Sequence, residues 1–153
     1  MDLVLWRHAE AEDAPPGGDD LARALTARGE RDAVRMGQWL DGKLPETARV
    51  LCSPARRCEQ TALALGRKYR LRPELAPDAE PHALLEAAQW PASRLPVLLV
   101  GHQPTLGRVI AQVLGIQAGG CAVRKGAAWW LRARERDGQL QVVVVAVMPP
   151  DLA

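Results

Sequence analysis

The chain has 153 residues, 48% of them hydrophobic and 25% charged, and its net charge is +2. This length suits one domain over residues 1–153 with a core of its own, and the composition is that of a globular protein, which excludes a disordered or collagen-like chain. Seventeen of the twenty basic residues are Arg, but they are dispersed and aromatics are few; GC-rich coding explains the bias, and no nucleic-acid partner is expected.

Residues 3–7 (LVLWR) read as a strand that runs directly into His8, and "AEDAPPGGDD" as a Pro/Gly/Asp loop. In "LTARGERDAVRMGQWL" the spacing of Ala33, Met36, Gly37 and Leu40 predicts a helix, with Thr26 as N-cap and with Gly42 and Pro45 ending it. "ARVLCSP" is a second short strand. Ser53 as N-cap and Pro54 as first helical residue predict a helix from there to about Arg67. "RPELAPDAEP" is turn-rich with room for one short strand, and "HALLEAAQW" is a short helix. "LPVLLVGH" is a third strand ending at Gly101 and His102, after which Pro104 opens a helix through Leu114. The tail "AAWWLRARERDGQLQVVVVAV" reads as two strands joined at Asp137-Gly138. Its run Val142–Met148 is far too short to span a bilayer and reads as a buried strand. The alternation predicts an α/β three-layer sandwich: a mostly parallel central sheet flanked by helices, with a C-terminal antiparallel hairpin.

The first residues carry no basic segment, long apolar core or cleavage site, so neither a membrane nor export is expected and the cytoplasm is the default. Cys52, Cys58 and Cys121 form no CxxC and read as reduced thiols. The three histidines, His8, His82 and His102, suffice by number for a zinc site, but no HExxH or carboxylate cluster accompanies them, so neither metal nor cofactor is expected.

Three strand-to-helix junctions carry the polar residues: Arg7-His8, Ser53-Pro54 with Arg56 and Arg57 behind it, and Gly101-His102. Ligands of open α/β sheets bind outside the carboxyl ends of strands, so the three can meet in one pocket. Two imidazoles, guanidiniums and two helix N-termini make an anion site suited to inorganic phosphate or a phosphoryl group. No P-loop or GxGxxG is present, and no acidic set for magnesium, which leaves Arg and His to neutralise phosphoryl oxygens. A neutral His with one ring nitrogen tied to a backbone acceptor is a competent nucleophile, and His8 fits. Cys52 and Cys58 lack the loop of backbone donors expected around a phosphatase thiolate. His82, near a helix start, reads as a surface residue.

"RHAEAE" resembles the RHG signature of the histidine phosphatase (phosphoglycerate mutase-like) superfamily. "LCSPARRCEQTA" resembles its Ser-Pro block with Arg, a small residue and a QT pair; "VGHQPTLG" resembles its GH block, and "LTARGERDAVRMGQWL" its LT-x-x-G helix. The short chain, "GHQP" and "VRKGAAWWL" are similar in particular to the small phosphohistidine phosphatases of the SixA type. The resemblance implies His8 as the phospho-accepting nucleophile, with Arg7, Arg57 and His102 completing the phosphate pocket; it selects Arg57 over Arg56. The sequence departs at Ala9, where the family has Gly and gains backbone freedom. It also lacks a clear match to the family's proton donor, for which Asp78 and Glu80 are the nearest candidates.

The resemblance implies a metal-independent phosphatase with a phosphohistidine intermediate, acting on phosphohistidine borne by a signalling protein. An alkoxide leaving group needs a positioned acid, whereas a phospho-imidazole protonated on its distal nitrogen leaves as neutral imidazole. The alternatives are a phosphomonoesterase for a small phosphorylated metabolite such as a sugar phosphate, with Asp78 or Glu80 as acid, and a non-catalytic phosphate-binding module.

Overall fold

Strand β1 (Asp2–Arg7) alternates its side chains between two cores. Leu3 and Leu5 enter one with Leu84, Leu106, Val109 and Ile110; Val4 and Trp6 enter the other with Met36, Leu40, Cys58 and Ala62. The computed structural model, which describes residues 1–153, builds around β1 a six-stranded sheet with β2 (Arg49–Cys52), β3 (Arg70–Leu71), β4 (Val97–Gly101), β5 (Ala128–Arg136) and β6 (Gln139–Met148). The order is β3-β2-β4-β1-β5-β6. The first four are mutually parallel, and β5 runs antiparallel to both β1 and β6. Helices α1 (Ala27–Lys43) and α2 (Arg56–Leu63) supply the core on one face, and α3 (Pro81–Ala87) and α4 (Thr105–Leu114) the core on the other. The expected α/β sandwich with a mostly parallel sheet and a terminal hairpin is therefore the observed one.

Local signals account for most boundaries. Thr26 caps α1 by accepting from the Gly29 amide at 2.9 Å. The Asp137-Gly138 turn has both residues at positive φ, 53° and 75°, as a two-residue hairpin requires.

Several expectations need correction. Gly42 does not end α1, which continues to Lys43. Helix α2 does not run from Pro54 to Arg67; it begins at Arg56 and ends at Leu63, and Gly66 beyond it is left-handed (φ 76°). Ser53 is not its N-cap. The Ser53 hydroxyl lies 2.8 Å from His102 Nε2 and accepts from the Ala55 amide, so Pro54 and Ala55 stay outside the helix. Finally, Val142–Met148 is not buried. It lies in β6, the last strand of the sheet, which pairs only with β5, and Val143, Val144, Val145 and Val147 are each 40–44% exposed. Periodicity cannot distinguish an apolar edge strand from an apolar central one.

Candidate active site

Parallel register brings the three junctions together. Arg7 stands opposite Gly101 and Cys52 opposite Val100, so one step further His8, Ser53 and His102 emerge side by side at the carboxyl ends of β1, β2 and β4. Two backbone bonds hold them there: His8 N donates to Gly101 O at 3.1 Å, and Ser53 N to Val100 O at 3.0 Å. The two imidazole centroids are 5.2 Å apart, with the rings tilted by 58°.

Hydrogen bonding fixes both tautomers. His8 Nδ1 lies 2.8 Å from the Ala9 carbonyl, which can only accept, so Nδ1 carries the proton and Nε2 keeps a free lone pair. At His102, Arg57 Nη2 donates to Nδ1 at 3.4 Å, which leaves Nε2–H to donate to Ser53 Oγ. Both rings are neutral at pH 7. Burial chiefly, with the Arg57 and Arg7 guanidiniums, lowers His8 to about 4, although its bond to Ala9 opposes the shift. Burial, then His8 and Arg57, lowers His102 to about 3. The thiols are unsuited to attack on phosphorus: burial pushes Cys58 up to about 12 and Cys52 higher still, far from thiolate at neutral pH.

The guanidiniums close the site. Arg57 is 4% exposed, whereas Arg56, its neighbour in α2, points to solvent. Arg7 Nη1 donates to Val123 O at 2.8 Å. The Nε–H groups of both Arg7 and Arg57 are buried without an acceptor, an arrangement that costs free energy and favours a nearby anion. Arg7, His8, Arg57 and His102 line one pocket of about 320 Å³. Asp20, Arg23, Asp78, Gln103 and Lys125 share its walls, and its only hydrophobic lining residue is Ala11. A larger cleft of about 710 Å³ lies along β2 and β3, where Arg67, Lys68 and Tyr69 line it, and it contains neither histidine. No three His, Cys, Asp or Glu side chains gather in a metal-binding cluster. Arg7, Arg23, Arg57 and Lys125 make the lining of the pocket predominantly cationic, which suits an oxyanion.

The motif residues that hold this arrangement have identifiable tasks. Thr61 Oγ1 accepts from the Ala9 amide at 3.1 Å and donates to Arg57 O at 2.8 Å, tying the residue after His8 to the helix that carries Arg57. Gln60 Oε1 accepts from the Leu25 amide at 2.7 Å, fixing the approach to α1. Gly29 lies so close to the backbone of Glu10 that a Cβ would collide with the Glu10 carbonyl. Ala9 is fully buried with Leu25 and Ala33 and has no positive φ, so the backbone freedom of a glycine is not needed there.

Of the two acids considered from sequence, Asp78 (φ 64°) reaches the pocket. Glu80 lines a different cleft with His82 and Arg108, and His82 is exposed on α3. Sequence reading missed Asp20, Arg23 and Lys125. The one available signal was Asp20 and Arg23 standing three residues apart just before the LT-x-x-G helix.

The chain is similar to known proteins in both sequence and fold. The family model described as histidine phosphatase superfamily (branch 1) matches residues 3–80. Phosphohistidine phosphatase SixA of Escherichia coli (strain K12) is 33% identical over 124 residues, covering 74% of each chain. A phosphohistidine phosphatase SixA homolog of Haemophilus influenzae is 28% identical over 130 residues, 75% of this chain and 78% of its own. A solved structure of the protein histidine phosphatase SixA complexed with tungstate superposes with a TM-score of 0.81 at 26% identity, covering 99% of this chain and 98% of that one.

Proposed function

The chain belongs to the histidine phosphatase superfamily (branch 1), and from that premise we propose that it hydrolyses phosphohistidine on a protein through a phosphoryl group carried transiently by His8. The observation that carries this reading is the bond from His8 Nδ1 to the Ala9 carbonyl, which leaves Nε2 as a free lone pair beside two guanidiniums. In the first step Nε2 attacks phosphorus, the new N–P bond forms, and the bond to the substrate's imidazole breaks. That imidazole, protonated on its distal nitrogen, departs neutral. In the second step water attacks phosphorus; the His8–P bond breaks and inorganic phosphate leaves. Arg7 and Arg57 neutralise and hydrogen-bond the phosphoryl oxygens, the kind of donor worth on the order of 10²–10³-fold in rate, while neutral His102 steadies Arg57 by accepting from its Nη2.

The acid inventory favours a phosphoramidate over an ester. Asp20 is engaged by Arg57 and Arg23, whose hydrogen bonds outweigh a burial effect and hold its carboxyl below the ordinary range, so it has no proton to give at pH 7. Asp78 is then the remaining carboxylate of the pocket. A relative that is 33% identical over 124 residues bears the name phosphohistidine phosphatase SixA, which supports the same substrate class.

The test compares hydrolysis of a phosphohistidine peptide and of an alkyl phosphate by the wild type and by Asp78→Asn. The expected result is a wild type that prefers the phosphohistidine peptide and a variant that hydrolyses it almost unchanged. Any ester hydrolysis should fall by up to the 10²–10⁴-fold typical of a lost general acid. A wild type that prefers sugar phosphates would overturn the assignment in favour of a phosphomonoesterase.

A further inference from the structure

The segment between β1 and α1 places a carboxylate on the key cation of the pocket. Asp20 opens a short 3-10 turn (Asp20–Ala22) and meets Arg57 twice: its carbonyl accepts from Nη1 at 2.8 Å, and its carboxylate Oδ2 accepts from Nη2 at 3.1 Å. The other carboxylate oxygen, Oδ1, accepts from Arg23 Nη1 at 3.2 Å, and Arg23 is held by its Nε bond to Glu12 O at 2.7 Å.

We propose that Asp20 is a built-in competitor of the phosphoryl group for Arg57: substrate displaces its carboxylate, and the return of that carboxylate helps expel inorganic phosphate. This rests on the reading of the pocket as a phosphoryl site.

Three features separate competition from simple positioning. The main-chain carbonyl of Asp20 already orients Arg57 through Nη1, so the carboxylate is not required to aim the guanidinium. The burial is lopsided: the Arg57 side chain is 5% exposed and that of Asp20 is 55% exposed, so the carboxylate can swing toward water without uncovering a core. No residue of the turn is buried, and Arg23 remains as a partner for Asp20 once Arg57 is taken.

Charge sets the direction of exchange. A carboxylate offers a guanidinium one negative charge, whereas a phosphoryl dianion offers two, with Arg7 as a second cation in the same pocket. Tethered three residues before Arg23 and bonded through its own backbone, the Asp20 carboxylate has a high effective concentration at Arg57 and competes well against free phosphate. The cycle therefore gains a means of releasing its second product.

The experiment measures inorganic phosphate binding by calorimetry for the wild type, Asp20→Asn and Asp20→Glu. It also measures kcat, KM and phosphate inhibition with a phosphohistidine peptide. Asparagine keeps the shape and removes the charge, so Asp20→Asn should bind phosphate about threefold to tenfold more tightly, at the low end for a charge-assisted bond on a half-exposed carboxylate. Product inhibition should strengthen by the same factor and KM should fall, while Asp20→Glu returns toward wild type. Weaker phosphate binding with a lower kcat in Asp20→Asn would overturn the proposal and make Asp20 a positioning residue for Arg57. Unchanged binding would overturn it as well. A folded wild type that binds no phosphate would instead overturn the reading of the pocket itself, and the two failures are thereby distinguished.

Discussion

Of the three glycines in helix α1, Gly29 and Gly42 lie in opposite surroundings, and replacing each by alanine should move stability in opposite directions. A Cβ on Gly29 would overlap the Glu10 carbonyl and stand 3.1 Å from Glu10 N, against backbone that cannot rotate away; around Gly42 nothing lies within 4 Å. Alanine is preferred over glycine in a helix interior by about 1 kcal/mol. At Gly42 that preference acts alone, so Gly42→Ala should stabilise the protein by up to about 1 kcal/mol, or roughly 2–4 °C. At Gly29 the same gain is opposed by overpacking, which costs about 1–3 kcal/mol and more when the neighbour is rigid. The neighbour is rigid here, because Glu10 O accepts from the Thr26 amide at 3.0 Å and Glu10 Oε1 from the Thr26 hydroxyl at 2.9 Å. Gly29→Ala should therefore be destabilised by about 1–2 kcal/mol. Its activity should also drop severalfold, because the displaced backbone is two residues from His8. Urea denaturation of the two variants beside wild type, with specific activity at 25 °C, reads both effects. Equal stabilisation by both substitutions would refute the role of Gly29 as a spacer between α1 and the loop after β1.

Two further outcomes follow from the site. Arg57→Ala should lower turnover on the order of 10²-fold or more, as loss of a transition-state donor does, while the exposed Arg56 tolerates alanine with little change; a more damaging Arg56→Ala in steady-state kinetics would mean the wrong guanidinium faces phosphorus. The His8 and His102 rings should stay neutral to well below pH 6.5, with ring carbon signals in a labelled protein titrating near 4 and 3. Because both folded values lie below the unfolded value of 6.5, the unfolded chain binds protons first. Stability should be complete above about pH 6.5 and decline as the pH falls through 4, and a flat urea midpoint between pH 7 and 4 would contradict this.

Some of this architecture is legible in the sequence because it depends on local patterns. The polar residues at the ends of β1, β2 and β4 converge because parallel strands in register put their carboxyl ends on one side, and a strand-then-helix alternation implies that. Thr26 and the Asp137-Gly138 turn are read from cap and turn chemistry. What stays hidden depends on partners distant in sequence. Ser53 looks like a helix cap until His102, 49 residues later, claims its hydroxyl. The valines of β6 look buried until the sheet is seen to end with that strand. Asp20 and Arg23 sit in a loop with no periodicity, and only the fold brings them to Arg57, 37 residues on from Asp20. Ala9 looked like a loss of backbone freedom, yet its conformation needs none.

The central claim is that His8 Nε2 takes the phosphoryl group, and the most direct measurement is to trap it there. The protein is mixed with a phosphohistidine peptide for milliseconds, quenched in alkali to preserve the N–P bond, digested and sequenced by mass spectrometry. The account predicts phosphate on His8, at a level that rises before steady state, and none on it in His8→Asn, which should also be inactive. Phosphate found on His102, on a cysteine, or on no residue during full turnover would contradict it.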